Sequence, residues 1–351
     1  MSQRRKLTKW LVVLVFLHCI VAGAGFFAPY DPVEQDRERP YLPPMRVHLM
    51  DAQNHLHLRP FFYSLRLRTG SFDQYEEDTA TIVPLKFFEH GVVYHLLGFA
   101  PAHLHLFGAS GARIYLLGSD AYGRDQLSRI LYGGQVSLLA GLLGAGITLF
   151  LGALVGMAAG YYGGWRDELL MRVAELFLAL PWLYLLFALR AFLPLAVSPL
   201  EAFLLVVVVI GMVGWARPAR LVRGVVLSVK ERDFVRAARG FGASDIYLLR
   251  RHILPETASV LLTQAAILVP QFVLAEMTLS FLGLGVPEPM SSWGSLLASL
   301  QQYSVLVSYW WMYLPALAIV PFFLGYLGLA SALQHRTSLY KIEEQGGWNL
   351  S

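Results

Sequence analysis

Apolar residues gather into long runs that are nearly free of charge and are separated by polar segments. Most of these runs approach the length of about 20 residues that an α-helix needs to cross a hydrocarbon core of about 30 Å. The runs cover residues 10–28, 135–162, 169–189, 200–214, 258–284 and 309–333. The pattern predicts an all-α polytopic membrane protein with six transmembrane helices, and the low charged fraction of 15% agrees with that class.

A long polar stretch, residues 29–134, interrupts the pattern after the first run. It mixes charges of both signs with prolines and aromatic residues, and no part of it could span a membrane. The first run begins after a basic N-terminus with Arg4, Arg5 and Lys6. It is long for a signal peptide and ends in a poor cleavage site, so a retained span is favoured over a cleaved leader. We therefore expect residues 29–134 to form an enlarged extracytoplasmic domain or cap.

The distribution of charge predicts the orientation. Residues 215–256 carry nine Lys or Arg against four acidic residues, whereas residues 285–304 contain neither Lys nor Arg. Basic loops stay in the cytoplasm, so six spans put both termini there. The expected parts are an N-terminal tail with the first span (1–28), the insertion (29–134), a membrane domain (135–333) with the cytoplasmic loop 215–256, and a cytoplasmic tail (334–351).

Within the basic loop, the residues predict two helices that meet at a glycine corner. Phe234, Ala238 and Phe241 share one helical face, together with Ala237. Gly242 suits a left-handed helix end, and Ser244 can cap the next helix. Small residues at the corner leave room for another protein. An amphipathic loop on anionic headgroups fits the same residues, so the residues alone leave both interpretations open.

A resemblance to a known family favours the first interpretation. The segment "RAARGFGASDIYLLRRHILP" (236–255) resembles the EAA signature of ABC importer membrane subunits, with Arg236 in place of the usual Glu and His252 in place of the usual Ile. Both departures resemble the dipeptide/oligopeptide/nickel class. "LGSDAYGRDQLSRILYGGQVSLLAG" (117–141) and "LAEMTLSFLGLGVPEPMSSWGSLL" (274–297) are similar to two further motifs of that class. The set resembles its C-type permease, although the family's acidic C-terminal motif is missing.

The resemblance implies a type I ABC importer permease in a bacterial inner membrane, forming half of a pathway for peptides or similar small solutes. The implied partners are a B-type permease subunit, two ATP-binding cassette ATPases, an extracytoplasmic solute-binding protein and membrane lipid, with no nucleic acid. The ATPases would use ATP and Mg, and this chain would bind no cofactor. The implied ATPase-coupling residues are Arg236, Ala237, Ala238, Gly242, Ala243, Ser244, Ile246, Leu254 and Pro255.

Other residues yield further hypotheses. The chain has no P-loop and no recognisable catalytic motif, so a transport subunit is expected rather than an enzyme. An ion-gradient-driven secondary transporter is the alternative.

Glu276 lies inside the fifth run, either as a pathway residue or as a structural partner of a basic group such as Arg190. Small residues at spacing four predict a helix-packing face in the second run, with Gly144, Gly152, Gly156 and Gly160 among them. No metal site is expected. The function of residues 44–111 is not readable from the sequence.

Overall fold

The structure, a computed structural model, describes residues 3–68, 74–96, 100–109, 111–192, 194 and 197–346, with side chains between residues 5 and 335. The last five residues of the expected cytoplasmic tail lie outside this part of the chain. The described residues divide into two compact units. The first contains residues up to 14, 138–279 and those from 321 onward, and the second contains 15–137 and 280–320.

The helices and strands follow in chain order. The N-terminal helices are α1 (Gln3–Ala22) and α2 (Ala24–Phe27). The strands are β1 (His48–Met50), β2 (Leu56–Leu67), β3 (Tyr75–Pro84), β4 (Lys86–Leu96) and β5 (Ala100–Gly108). The later helices are α3 (Gln126–Tyr162), α4 (Gly164–Ala179), α5 (Trp182–Ala191), α6 (Pro199–Val213), α7 (Ala216–Val229), α8 (Asp233–Gly240), α9 (Asp245–Leu248), α10 (Leu254–Phe281), α11 (Trp293–Leu297), α12 (Tyr303–Ser308) and α13 (Leu314–Gly346).

Three helical segments in the described part of the chain are long and apolar enough to cross a membrane: Gln126–Tyr162, Asp245–Phe281 and Trp310–His335. The total rises to five if the bent pairs α4–α5 and α6–α7 each form one span. Helix α1, which begins with the basic N-terminus, is not among them. Multiple membrane-type helices are therefore present.

Proline and glycine account for the two bends. Leu180 is extended (φ −81°, ψ 138°) because Pro181 disfavours the helical conformation of the residue before it. Helices α4 and α5 consequently meet at an angle of 91°. The pair α6–α7 bends by 44° at Gly214, because the ring of Pro218 crowds the carbonyl four residues earlier and Pro218 has no N–H to donate to it. Helix α7 continues to Val229, well into the segment expected to be a loop.

The all-α prediction is wrong for residues 48–108, which form five β-strands in the described part of the chain. Strands β1, β2 and β3 make an antiparallel sheet, and β4 pairs with β5 in a separate hairpin. Aromatic and β-branched residues favour strands, and β2 contains Phe61, Phe62 and Tyr63 in succession. Phe62 lies opposite Val83 of β3, and both are buried in one apolar cluster that includes Leu42, Met45, Ile114 and Tyr115.

Candidate coupling segment

The segment between α7 and α10, residues 230–253, consists of helix α8, a corner at Gly242 and helix α9. Gly242 has φ +85°, in the left-handed region that side chains other than glycine rarely adopt. Its N–H donates to Arg239 O at 3.0 Å, and the N–H of Ala243 donates to Ala238 O at 3.1 Å. These two bonds form a Schellman motif that ends α8. A Cβ at Gly242 would meet no atom within 4 Å, so the glycine is required by backbone conformation and not by lack of space.

One face of the segment packs inside the first unit. Val235, Leu248 and Ile253 are each fully buried, and they share an apolar cluster with Val222 and Val226 of α7. Burying such side chains contributes about 1.5–3 kcal/mol each. The buried face of α8 therefore centres on Val235, with Ala238 half-buried beside it. This differs from the face expected around Phe234 and Phe241.

The opposite side of the segment is exposed and carries apolar side chains among charged ones. The exposed fraction is 92% for Phe241 and 67% for Ile246, and Ala237 is also exposed. Exposed apolar groups clustered in this way are typical of an interaction surface. Arg236 is exposed among them and makes no hydrogen bond or ion pair with the residues that the structure describes.

The remaining predicted coupling residues lie at the margins of this surface. Ser244 is extended just before α9, but its side chain makes no capping hydrogen bond, and Ala243 is half-buried. Leu254 and Pro255 are exposed at the start of α10. A π-helical turn, Leu249–Ile253, joins α9 to α10 without a break. The wider turn accommodates the ring of Pro255, which lacks an N–H and would clash in a regular helix.

Polar contacts link the segment to the end of α3. The Tyr161 hydroxyl donates to the Asp245 carboxylate, and the guanidinium of Arg239 lies 5.4 Å from the centre of the Tyr161 ring. At the end of α7, Lys230 Nζ donates to Gly160 O at 2.9 Å. The corner is thus attached to α3 by hydrogen bonds, to α7 by apolar packing, and to α10 by a continuous helix.

Close packing joins α3 to the bent pair α6–α7. A Cβ at Gly152 would lie 2.7 Å from Pro218 Cβ, and one at Gly160 would lie 2.8 Å from Val226 Cβ. A Cβ at Gly156 would strike the carbonyl oxygen of Ala219. Gly144 approaches Ile210 less closely, at 3.1 Å. The predicted small-residue stripe therefore faces α6–α7 at backbone-contact distance.

Glu276 and Arg190 lie on different helices of the first unit. Glu276, on α10, is fully buried. Arg190 is near the end of α5, is 1% exposed and donates to Pro194 O at 3.2 Å. A buried carboxylate in a membrane-type helix is costly and characteristic of a functional or paired group.

Sequence reasoning missed an ion-pair network in the second unit. The guanidinium of Arg124 contacts Asp120 at 2.7 Å and Glu288 at 3.0 Å. Arg129 contacts Glu288 at 2.7 Å and also pairs with Asp120. These residues belong to the family-like motifs 117–141 and 274–297, but the pairs are separated by as many as 164 positions. The motifs indicate a family resemblance, but they do not indicate which of their residues form ion pairs.

The long apolar helices define a helical membrane protein, and the helix–corner–helix segment lies between two of them. The chain belongs to the family of binding-protein-dependent transport system inner membrane components, whose sequence model matches residues 152–339. Members of this family are membrane components of ABC importers. The family places the chain in an inner membrane as a transport component with ATPase and permease partners.

Several relatives are similar over much of their length. The oligopeptide transport system permease protein OppC of Escherichia coli strain K12 is 38% identical over 216 residues, covering 61% of this chain and 69% of the relative. OppC of Haemophilus influenzae is 37% identical over 216 residues, covering 61% of this chain and 67% of the relative. The dipeptide transport system permease protein DppC of Bacillus subtilis is 35% identical over 203 residues, covering 58% and 61%.

Two solved structures are also similar. The crystal structure of an amino acid ABC transporter with histidines has 18% identity and a TM-score of 0.43, covering 59% of this chain and 94% of that chain. An inward-facing MetNI methionine ABC transporter has 17% identity and a TM-score of 0.40, covering 58% of this chain and 96% of that chain.

Proposed function

We propose that this chain is the C-type permease subunit of an ATP-driven importer of peptides, coupled to cytoplasmic ATPases through the corner at Gly242. The similarity to dipeptide and oligopeptide permeases supports the substrate class. The coupling role is supported by the segment having one exposed face and one buried face. Its apolar outer face is exposed around Phe241, and its inner face is buried against the ends of the long helices.

The proposed assembly contains a B-type permease subunit, two ATP-binding cassette ATPases and an extracytoplasmic solute-binding protein. In this chain, α1 serves as the first of six spans, and both termini lie in the cytoplasm. Residues 29–134 lie outside the membrane. The ATPases bind ATP and Mg, and this chain contributes neither a cofactor site nor an ATPase site.

Movement passes from the ATPases into the membrane through specific contacts. Phe241 and Ile246 occupy a groove of an ATPase subunit, and Ala237 lets the two surfaces approach closely. Displacement of α8 then acts on α7 through Val235. It acts on α3 through the Tyr161–Asp245 hydrogen bond, and on α10 along the continuous helix.

The test is to replace Gly242 by Trp in the assembled importer and to measure both ATP hydrolysis and peptide uptake in proteoliposomes. We expect insertion and ATP hydrolysis to persist while uptake falls at least tenfold. Gly163→Trp is the matched control. Gly163 has φ +65° and ψ −160°, a conformation open almost only to glycine, and open space around it. Trp there is at least as strained as Trp at position 242 but lies outside the coupling segment.

Two outcomes would contradict the proposal. Equal uptake by Gly242→Trp and the wild type would show that the corner at Gly242 does not couple ATP hydrolysis to transport. Peptide uptake by this chain without ATPases and ATP would instead support an ion-gradient-driven transporter.

A further inference from the structure

The β4–β5 hairpin presents apolar side chains on a nearly uncharged surface. Residues 86–108 contain one Lys, one Glu and neither Arg nor Asp. Four apolar side chains of β4 are each at least half exposed: Phe87, Phe88, Val92 and Val93. Exposed apolar groups that lie together in this way are typical of an interaction surface.

The three-stranded sheet β1–β3 has a different surface. Arg66 of β2 and Glu76 of β3 are exposed and form an ion pair at 3.1 Å. Leu58, which is 99% exposed on β2, is followed by the exposed Arg59. Charged side chains interspersed in this way suit contact with water. The hairpin, and not the sheet, is therefore the apolar part of the insertion.

The hairpin packs against the end of the first apolar run, within the second unit. The ring centre of Phe88 lies 6.4 Å from that of Phe26 on α2. The ring of Tyr94 lies so close to α2 that a Cβ at Gly25 would strike it. Both α2 residues belong to the run 10–28. The exposed apolar surface of β4 therefore continues from the last turn of that run.

His105 of β5 fixes the hairpin at this level. Its side chain is only 4% exposed. One ring nitrogen contacts Ala28 O, just after α2, at 2.6 Å, and the other contacts Val92 O of β4 at 3.0 Å. Both distances are those of hydrogen bonds. Movement of the hairpin away from α2 would break the first contact, so the apolar residues of β4 stay where the first apolar run ends.

We propose that the β4–β5 hairpin lies in the outer membrane–water interface and that the four exposed apolar side chains of β4 contact lipid. The inference rests on the proposed role of α1 as a membrane span. The end of α2 is then at the outer surface of the bilayer, and the hairpin attached to it is at the same level. Interfacial elements bury apolar side chains about 5–10 Å into the boundary between headgroups and acyl chains. The single Lys and single Glu balance, so phosphatidylcholine is a sufficient probe.

The experiment measures the position of a fluorophore relative to lipid. In a Cys19→Ser background, Phe88→Cys and Val93→Cys are labelled with NBD, and the full chain is placed in phosphatidylcholine nanodiscs, both alone and in the assembled importer. Quenching by a lipid with a nitroxide on its acyl chain is compared with quenching by aqueous iodide. Leu58→Cys is the matched control on the charged sheet. We expect lipid quenching at positions 88 and 93 and iodide quenching at least about threefold weaker there than at position 58.

Two results would overturn the proposal. Iodide quenching at positions 88 and 93 equal to that at position 58 would place the hairpin in water. Protection from iodide without lipid quenching, in the chain alone or in the assembled importer, would show that a protein surface covers the hairpin. Val93→Cys keeps the test decisive if Phe88→Cys fails to insert.

Phe16→Cys separates this inference from the proposed span. Phe16 is 64% exposed on α1 and lies within the run that would cross the membrane. Lipid quenching at position 16 without lipid quenching at positions 88 and 93 would reject only the placement of the hairpin. Absence of lipid quenching at position 16 as well would also reject α1 as the first span.

Discussion

The packing of α3 against α7 makes a quantitative prediction at Gly156. In Gly156→Ala, the added methyl group would strike the Ala219 carbonyl oxygen and lie 2.8 Å from Val222 Cβ. The obstacle is backbone, so a rotamer change in a neighbouring side chain cannot relieve it. Overpacking of this kind costs about 1–3 kcal/mol, while replacing Gly by Ala in a helix recovers about 1 kcal/mol. We expect a net loss of at most about 2 kcal/mol in the free energy of unfolding.

The control for this substitution is Gly146→Ala, on the same helix. A Cβ at Gly146 would meet no atom within 4 Å, so this variant gains helix propensity without a clash. The propensity terms cancel in the difference between the two variants, which should equal the overpacking cost of about 1–3 kcal/mol. Both free energies can be measured by unfolding the purified chain with SDS in mixed micelles. Values that agree within about 0.5 kcal/mol would refute the proposed contact between α3 and α7.

Two further predictions concern charged groups. Arg129→Ala should destabilise the chain by about 1.5–3 kcal/mol, since it removes charged hydrogen bonds to Asp120 and Glu288, both of which Arg124 still pairs. Glu168→Gln, in the exposed Arg172–Glu168 pair at 3.6 Å, should change stability by less than about 1 kcal/mol. Similar losses in the same unfolding assay would contradict the network. Burial raises the pKa of Asp125 to about 6, so the folded chain retains a proton that the unfolded chain releases near pH 3.8, and stability should fall as pH rises from about 4 to 6. Asp125→Asn should flatten that dependence, and an unchanged pH profile would argue against a buried, protonated carboxyl.

The sequence predicted the corner at Gly242 because its determinants are local. A helix end with positive φ needs glycine, and the preceding helix ends in a Schellman motif that involves only neighbouring residues. The face of α8 that is buried depends on residues of another helix. Val235, rather than Phe234 or Phe241, is buried because α7 presents Val222 and Val226 to that side of the helix.

Residues 29–134 show a second limit. The apolar residues of β2 pack against positions far along the chain. Phe62 is covered by Ile114 and Tyr115 as well as by its cross-strand neighbour Val83. Such strands depend on tertiary partners, which periodicity within one segment cannot reveal.

We expect the exposed face around Phe241 to contact an ATPase subunit during the transport cycle. The most direct measurement replaces Cys19, the one cysteine of the chain, by Ser and introduces Phe241→Cys, then applies a thiol-to-amine cross-linker to the assembled importer. Tyr303→Cys is the control, because Tyr303 is also well exposed, at 79%, but lies on α12 outside the segment. We expect a cross-link from position 241 to the ATPase, changed in yield by ATP, and none from position 303. Absence of a cross-link at position 241 in an importer that still transports would contradict it.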